Sequence, residues 1–453
     1  MNLPSYFLAD LPPEATLAPT MIREACQTLK RNRDQYLAGH STQQLVKVLS
    51  EVAANWLEPE YPFRRLALQR SRVETGFPPA TLARGLDAFF QQVTRENLHA
   101  LLVQDLGHAH RLDELSATPE EQKNQQLALA CGPELLVHIT AGNIPSPTLM
   151  SMLLGLLARS AQFVKCARGT SLIPRLFAHS IHDAEPKLAS CLEIAEWRGG
   201  DTALEEPLFD EADCVTVTGS DETIAEVRCH LPPRVRLLGY GHQVSFAYVT
   251  SESLSGYGAK KVVARAADDV VAWNQLGCLS PHLFYVETGG GMQAEQFAEM
   301  LAEELARREE IEPRGELPVA DAATITSKRD FYRVRAAASS ETRLWCSDGS
   351  TAWTVVFEAD PRFQLSCLNR FVYVKAVANL TDALHHADAV RGQVSTVGVA
   401  AHTEAARVLA SRLARWGVTR VCPLGRMQNP PLTWRHDGRP ALGDLVTWTD
   451  WEQ

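Results

Sequence analysis

Leu135-Leu-Val-His-Ile139, Ala141-Gly-Asn-Ile-Pro-Ser-Pro147, Thr148 to Ala161 and Gln162-Phe-Val-Lys-Cys166 follow one another and read as strand, turn, helix and strand. The apolar runs set the elements, and the Gly and Pro residues of the turn separate them. The same alternation continues downstream. Ser171 to Asp183 reads as a helix, and Cys191 to Trp197 and Asp213-Cys-Val-Thr-Val217 as strands. Gly219-Ser220-Asp221-Glu222 opens a helix running towards Cys229, and Val235 to Leu238 and Val244 to Val249 complete the block. Repeated β-α units of this kind specify an α/β fold with a doubly wound sheet, whose ligands bind at the carboxyl ends of the strands.

A second α/β block follows. Ala259 to Trp273 reads as a helix ending in a tight Gly277-Cys278 turn before the strand Leu283-Phe-Tyr-Val286. An acidic helix is expected over Met292 to Glu309, with strands at Ala352 to Phe357 and Arg370 to Lys375. Helices at Leu380 to Val390 and Glu404 to Arg415 accompany strands at Thr396 to Ala400 and Val418 to Cys422. Upstream, residues 1–125 are helical and polar, with apolar positions at helical spacing in Thr20 to Ala38 and Pro79 to Leu101. No motif there attaches to chemistry. The expected segments are therefore 1–125, 126–250, 251–405 and 406–453, the last closing on the core.

The 453 residues are 45% hydrophobic, enough for two or three domains with cores of their own. The net charge of -10 and the lack of a long basic run argue against a nucleic-acid partner. The start, Met-Asn-Leu-Pro-Ser-Tyr, has no basic region before an apolar core and so does not read as a signal peptide. The most apolar window, Thr148 to Val164, carries Arg159, Ser160 and Gln162 and reads as a buried helix, not a membrane span. Ten scattered cysteines, without CxxC pairs or Cys/His spacing suited to zinc, point to a reducing cytoplasm and no metal site. Most sit in apolar runs, but Cys278 stands beside a glycine in a turn, which makes it the best nucleophile candidate. The competing reading is a small hydrophobe that falls in a turn.

Four segments carry a family resemblance in order and spacing: His138-Ile-Thr-Ala-Gly-Asn-Ile-Pro145, Leu238-Gly-Tyr-Gly-His-Gln-Val-Ser-Phe246, Asn274 to Pro281 and Trp434-Arg-His-Asp-Gly-Arg-Pro440. Over about residues 130–450 the chain resembles the aldehyde dehydrogenase superfamily. Within it, the chain is most similar to the LuxC-like acyl-CoA reductases, typified by the fatty acid reductase of bacterial luminescence. The resemblance implies a dinucleotide-binding domain over 126–250 and a catalytic thiol domain over 251–405. It implies that Cys278 is the nucleophile and that Asn143 donates to the oxyanion, a contact typically worth about 3 kcal/mol. The competing reading is that Asn143 merely accepts a left-handed turn, and the donor role is favoured. Gly219 and Ser220 resemble the turn beside the cofactor pyrophosphate, where a helix amino terminus favours negative charge. Any strand-to-helix turn favours the same residues.

Lys165 matches the lysine that hydrogen-bonds the adenosine ribose. Arg168 stands where NAD-preferring relatives carry a glutamate. A guanidinium there can grip a 2′-phosphate, so NADPH is the expected cofactor with NADH not excluded. A solvated loop arginine is the competing reading. His242 resembles the family histidine of Gly-Tyr-Gly-His and is a candidate proton relay or a structural residue. Hydrolytic aldehyde dehydrogenases carry a glutamate before Gly-Gly where this chain has Leu238, and its absence suits a thioester reductase that must exclude water.

The resemblance implies NADPH-dependent reduction of a fatty acyl thioester to an aldehyde through acyl-Cys278. Acyl-CoA or an acyl carrier protein would supply the acyl group, an acyl-transferring or synthetase subunit is a further partner, and a homo-oligomer is expected. Arg412, Arg415, Arg420 and Arg426 form a candidate basic patch for an acidic carrier. The alternatives are a cofactor-independent cysteine acyltransferase or thioesterase using His242 and His282, a non-catalytic scaffold subunit, and an ordinary aldehyde dehydrogenase, which Leu238 disfavours.

Overall fold

The computed structural model describes residues 3–12, 14–256 and 258–452. Met1 and Asn2, part of the start read above for a leader, lie outside the described residues, as do Pro13, Tyr257 and Gln453. The strands are β1 (Gln126–Cys131), β2 (Leu135–Ile139), β3 (Ala161–Cys166), β4 (Leu192–Glu196), β5 (Cys214–Thr218), β6 (Arg236–Tyr240), β7 (Val244–Val249), β8 (Pro281–Glu287), β9 (Thr342–Cys346), β10 (Thr354–Glu358), β11 (Phe371–Val377), β12 (Val394–Ala400), β13 (Arg420–Pro423) and β14 (Thr447–Glu452). They fall into two compact units. The first takes the described residues up to Thr75, Leu86–Gly241 and those from Pro431 onward; the second takes Gly76–Gly85 and His242–Pro430.

In the first unit a five-stranded sheet runs β4-β3-β2-β5-β6, and every neighbouring pair is parallel. The chain lays β3 and β4 on one side of β2 and then crosses to β5 and β6 on the other. That crossing makes β2/β5 the switch point of a doubly wound sheet. β2 and β3 are buried at every position, because helices cover both faces of a parallel sheet. The polar exception, His138, lies 2.6 Å from Thr216 Oγ1 and 2.9 Å from Gln162 Oε1. Burial pulls its pKa down to about 4, so it is neutral. The amino-terminal helix Pro19–Asn32 buries Ile22, Cys26 and Leu29 in the same core as Leu135, Val137 and Phe163.

The helix expected over Thr148 to Ala161 spans Ser146–Leu157 instead. Arg159 takes a left-handed conformation (φ 56°), which ends the helix and turns the chain into β3. Its guanidinium donates to His40 O (2.7 Å) and Thr42 Oγ1 (3.2 Å) and pairs with Asp113, all in the amino-terminal helical region. That region thereby sets where the helix stops. β1 and β14 pair antiparallel as a separate two-stranded sheet, from Gln126↔Glu452 to Cys131↔Thr447.

In the second unit a seven-stranded sheet runs β13-β12-β7-β8-β11-β10-β9, parallel except for the edge strand β9. Helices Gly258–Val271 and Ala294–Ile311 fill one face around Phe284, Val286 and Phe297. Val319–Ala338, Leu380–His386 and Thr403–Trp416 cover the other around Phe246, Tyr285 and Tyr373. The sequence pattern left residues 313–351 without elements. The helix Val319–Ala338 there buries only Ile325, Arg329 and Tyr332, too thin a stripe to stand out as an apolar period. Among the described residues, no helix is long and apolar enough to cross a membrane. None of their His, Cys, Asp and Glu side chains form a group of three that could hold a metal ion.

Candidate active site

Cys278 stands just before β8, at the amino-terminal edge of the second unit's sheet, and is exposed. It occupies the second position of a tight turn closed by Ser280 N–H donating to Gly277 C=O at 2.9 Å. Burial pushes the thiols of Cys26, Cys166, Cys191 and Cys422 up to about 12, which leaves them inert. The other exposed thiols, Cys131 and Cys229, belong to β1 and to the helix Asp221–His230, away from any turn joining a helix to a strand.

The helix expected to reach Trp273 ends at Val271. Trp273, Asn274 and Gln275 follow with φ of 51°, 51° and 66°, three consecutive left-handed residues without a glycine. Leu368, Asn369 and Arg370 repeat the arrangement with φ of 60°, 56° and 63°. Each such residue costs about 1–2 kcal/mol, so other contacts must hold both turns. Gln275 Nε2 donates to Pro281 O (2.8 Å) and Phe371 O (2.9 Å), stapling the thiol turn to the starts of β8 and β11. Arg370 Nε donates to Asn274 Oδ1 (3.1 Å), its Nη1 bonds Glu309 (2.8 Å), and Asn274 Nδ2 donates to Arg314 O (3.0 Å). Trp273 packs on Phe77 with ring centroids 5.2 Å apart, and Gly85 lies so close to the indole that no Cβ fits. Phe77 and Gly85, from the amino-terminal stretch that showed no motif, thus pack on the turn before the thiol.

A loop after β13 closes on the same turn. Asp269 accepts from Gly425 N (2.6 Å) and Met427 N (2.9 Å), and Arg420 donates to Met427 O (2.6 Å) and Arg426 O (2.8 Å). This folding lays the Gln428 amide against Gly277, where an added Cβ would meet its Oε1 at 2.8 Å; its Nε2 donates to Ser280 Oγ. Arg420 is therefore buried and committed to carbonyls, which corrects its expected place in a basic surface patch; Arg412, Arg415 and Arg426 are exposed. Gln428 escaped the sequence reading because nothing local links it to a turn 148 residues away.

His242, exposed, stands at the start of β7 on the same sheet edge. His282 Nδ1 accepts from Ser366 N–H at 3.1 Å, which leaves the ring proton on Nε2. Burial and then the charge of His242 hold its pKa down at about 4.

The remaining candidates line the carboxyl-terminal edge of the first unit's sheet, on the neighbouring strands β3, β2 and β5. Asn143 is exposed in the bend between β2 and the helix Ser146–Leu157 and is not among the left-handed residues of the described chain. Lys165, at the end of β3, is buried with Nζ 3.9 Å from Glu205 Oε1 and 5.7 Å from the Trp197 ring centroid. Among the described residues its ammonium makes an ion pair but no hydrogen bond, and burial lowers its pKa. The Trp197 Nε1 beside it is buried without a partner. Arg168 is exposed on the following loop, which Glu196 shapes by accepting from Gly169 N (2.6 Å) and Ser171 N (3.3 Å). Ser220 caps the helix Asp221–His230, accepting from Thr223 N at 3.3 Å. Gly219 N donates to Tyr240 O at 3.2 Å. The Tyr240 ring lies between the Arg439 guanidinium (4.5 Å) and His436 (4.6 Å, stacked), so two of the matched segments meet on β6.

The fold is that of solved aldehyde dehydrogenases. It superposes on bifunctional proline utilization A with a TM-score of 0.71 and 18% identity, over 98% of this chain and 46% of that one. The chain thus spans under half of that larger protein. It superposes on glyceraldehyde-3-phosphate dehydrogenase from Methanocaldococcus jannaschii, solved with NADP, with a TM-score of 0.68 and 11% identity, over 96% and 95% of the two chains. The family model for acyl-CoA reductase (LuxC) matches residues 37–448, and the chain belongs to that family. It is an acyl reductase of the aldehyde dehydrogenase type. A long-chain acyl-protein thioester reductase of Aliivibrio fischeri is 25% identical over 423 residues, covering 90% of this chain and 82% of that protein.

Proposed function

We propose that the protein reduces a fatty acyl thioester to the aldehyde with NADPH, through an acyl group carried on Cys278. The observation that carries this reading is the exposed Cys278 turn, built by two left-handed turns and the Gln428 loop, in a chain of the acyl-CoA reductase family. The name of the Aliivibrio fischeri relative supports a protein-bound or carrier-bound acyl thioester as substrate.

Cys278 attacks the thioester carbonyl as thiolate. The new C–S bond forms as the donor's C–S bond breaks, and the donor leaves as a thiol after taking a proton. The Asn143 amide donates to the carbonyl oxygen as it gains negative charge. NADPH, when bound, would supply the hydride that reduces the acyl carbon. The reduced adduct expels Cys278 and releases the aldehyde, with His242 as the candidate proton carrier. Leu238 leaves no carboxylate at the hydrolytic position to spend the intermediate on water.

The residues at the carboxyl edge of the first unit's sheet suit a dinucleotide. Among the described residues the Lys165 ammonium is without hydrogen bonds and Trp197 Nε1 is an orphaned buried donor, both suited to ribose hydroxyls. Gly219 and Ser220 open a helix whose amino terminus favours a pyrophosphate. Arg168 would grip a 2′-phosphate.

The test is NADPH oxidation, followed by absorbance, with a panel of acyl-CoAs and an acyl carrier protein, using wild type and Cys278→Ala. Thioester-dependent oxidation that vanishes in the variant is the expected result. Thiol release without NADPH consumption would replace this reading with a cysteine acyltransferase or thioesterase.

A further inference from the structure

We propose that Arg420 is the charge that keeps Cys278 deprotonated and reactive. This rests on Cys278 being the nucleophile. Two independent lines of geometry bring the arginine to the thiol turn. Across the sheet, Ser245 Oγ on β7 donates to Cys278 C=O at 2.8 Å and accepts from Thr396 N on β12 at 3.2 Å. Thr396 is the register partner of Arg420 on β13, so one row of neighbours runs from the thiol turn to the backbone of Arg420. Along the loop, Arg420 grips the carbonyls of Arg426 and Met427, and the next residue, Gln428, touches Gly277 and Ser280 on either side of Cys278.

The chemistry of the partners matters as much as their position. Arg420 donates to the carbonyl oxygens of Met427 and Arg426, which satisfy donors without neutralising the charge. A guanidinium is always protonated, so a buried one is a fixed positive field, and a nearby cation lowers a thiol pKa. The groups acting on it electrostatically are Asp269 from the helix Gly258–Val271, Cys422 on its own strand and Cys278 itself. Burial pushes Asp269 up to about 7, so its opposing charge is only partly present near neutral pH. On the thiol side the contacts from Ser245, Ser280 and Gln428 are neutral. The imidazoles at that edge are His242 and the neutral His282. Arg420 acts through Cys278 and is a positioning and charge-setting residue.

The experiment is the rate of alkylation by iodoacetamide against pH, read on the Cys278 peptide by mass spectrometry. The full chain is used without substrate or cofactor, as wild type, Arg420→Gln and Arg420→Lys. Wild-type Cys278 is expected to titrate clearly below the ordinary thiol value of about 8.5. At pH 7 its alkylation should fall roughly tenfold in Arg420→Gln and stay within about threefold of wild type in Arg420→Lys, the range set by a pKa shift of one unit or less. A wild-type thiol titrating at or above the ordinary value would overturn the proposal, even if Arg420→Gln fails to fold. So would a folded Arg420→Gln with the wild-type profile. Failure of the proposed function reads separately: an Arg420-dependent thiol pKa without thioester reduction would sink only the reductase reading.

Discussion

Replacing Gly277 by alanine tests whether the Gln428 loop holds the thiol turn. Gly277 lies outside the left-handed region, so its backbone accepts a side chain without strain. The obstacle is the Gln428 amide, which an added Cβ would meet at 2.8 Å (Oε1), 3.2 Å (Nε2) and 3.4 Å (Cδ). Gln428 must swing away and release the hydroxyl of Ser280, a residue 1% exposed whose Oγ makes no other hydrogen bond among the described residues. Losing a neutral hydrogen bond costs about 0.5–1.5 kcal/mol, and a buried unsatisfied hydroxyl about 1–3 kcal/mol. The glycine-to-alanine change itself returns about 0.4–1 kcal/mol through the unfolded state. Gly277→Ala should therefore destabilise β8 by roughly 1–3 kcal/mol. In a Gln428→Ala background the obstacle is gone, and the same change should be neutral or slightly stabilising. The two units need not unfold together, so the assay is hydrogen exchange of the peptide covering β8, with Cys278 alkylation as a local check. A double-mutant cycle should give a coupling of about 1–3 kcal/mol. Additivity within about 0.5 kcal/mol would refute the claim that Gln428 is the group that meets Gly277.

Arg168→Glu should lower the ratio of kcat/KM for NADPH over NADH by at least about tenfold, since one charge-assisted bond is worth about 1.5–3 kcal/mol; an unchanged ratio would place Arg168 in solvent. Lys375, buried on β11 and donating to Asp360 O at 2.7 Å, has its pKa lowered to about 8, mainly by burial. The unfolded chain then binds more protons between pH 8 and 10.5, so stability rises with pH across that window. Lys375→Met should flatten this rise and leave stability at pH 7 unchanged or higher, measured by urea denaturation at a series of pH values; a rise that persists would put its source elsewhere. Arg370→Ala strips the charge partner from Glu309 and the donor from Asn274, and should cost about 3–5 kcal/mol while loosening the left-handed turn. A melting temperature within 1–2 °C of wild type, well under what such a loss implies, would show that the turn does not depend on it.

The course of the chain shows how much was legible. β2, β3 and β5 were readable because strands buried on both faces must be uninterrupted apolar runs, and parallel strands need helices between them. Lys165, Arg168, Asn143, Gly219 and Ser220 follow at the ends of those strands, so locating the strands located the sheet edge on which they stand. Cys278 was legible as a turn cysteine because its glycine and the strand after it are adjacent in the chain. The ends of the helices before β3 and before Cys278 were not. Each stops where a non-glycine residue turns left-handed, Arg159 or Trp273, and nothing local favours that conformation.

The amino-acid sequence by itself determined the alternation of strand and helix, the doubly wound order and the residue types available for thiol and dinucleotide chemistry. These follow from periodicity and turn residues within a few positions of one another. Only the tertiary structure decided how the thiol turn is held. Gln275 reaches Phe371, Arg370 reaches Asn274, Gln428 reaches Ser280, and β1 pairs with β14 from the far end of the chain. These partners lie roughly 100 to 300 residues apart, and the strained turns are tolerated because distant groups supply them with hydrogen bonds. Such satisfaction depends on three-dimensional closure, which no local pattern encodes.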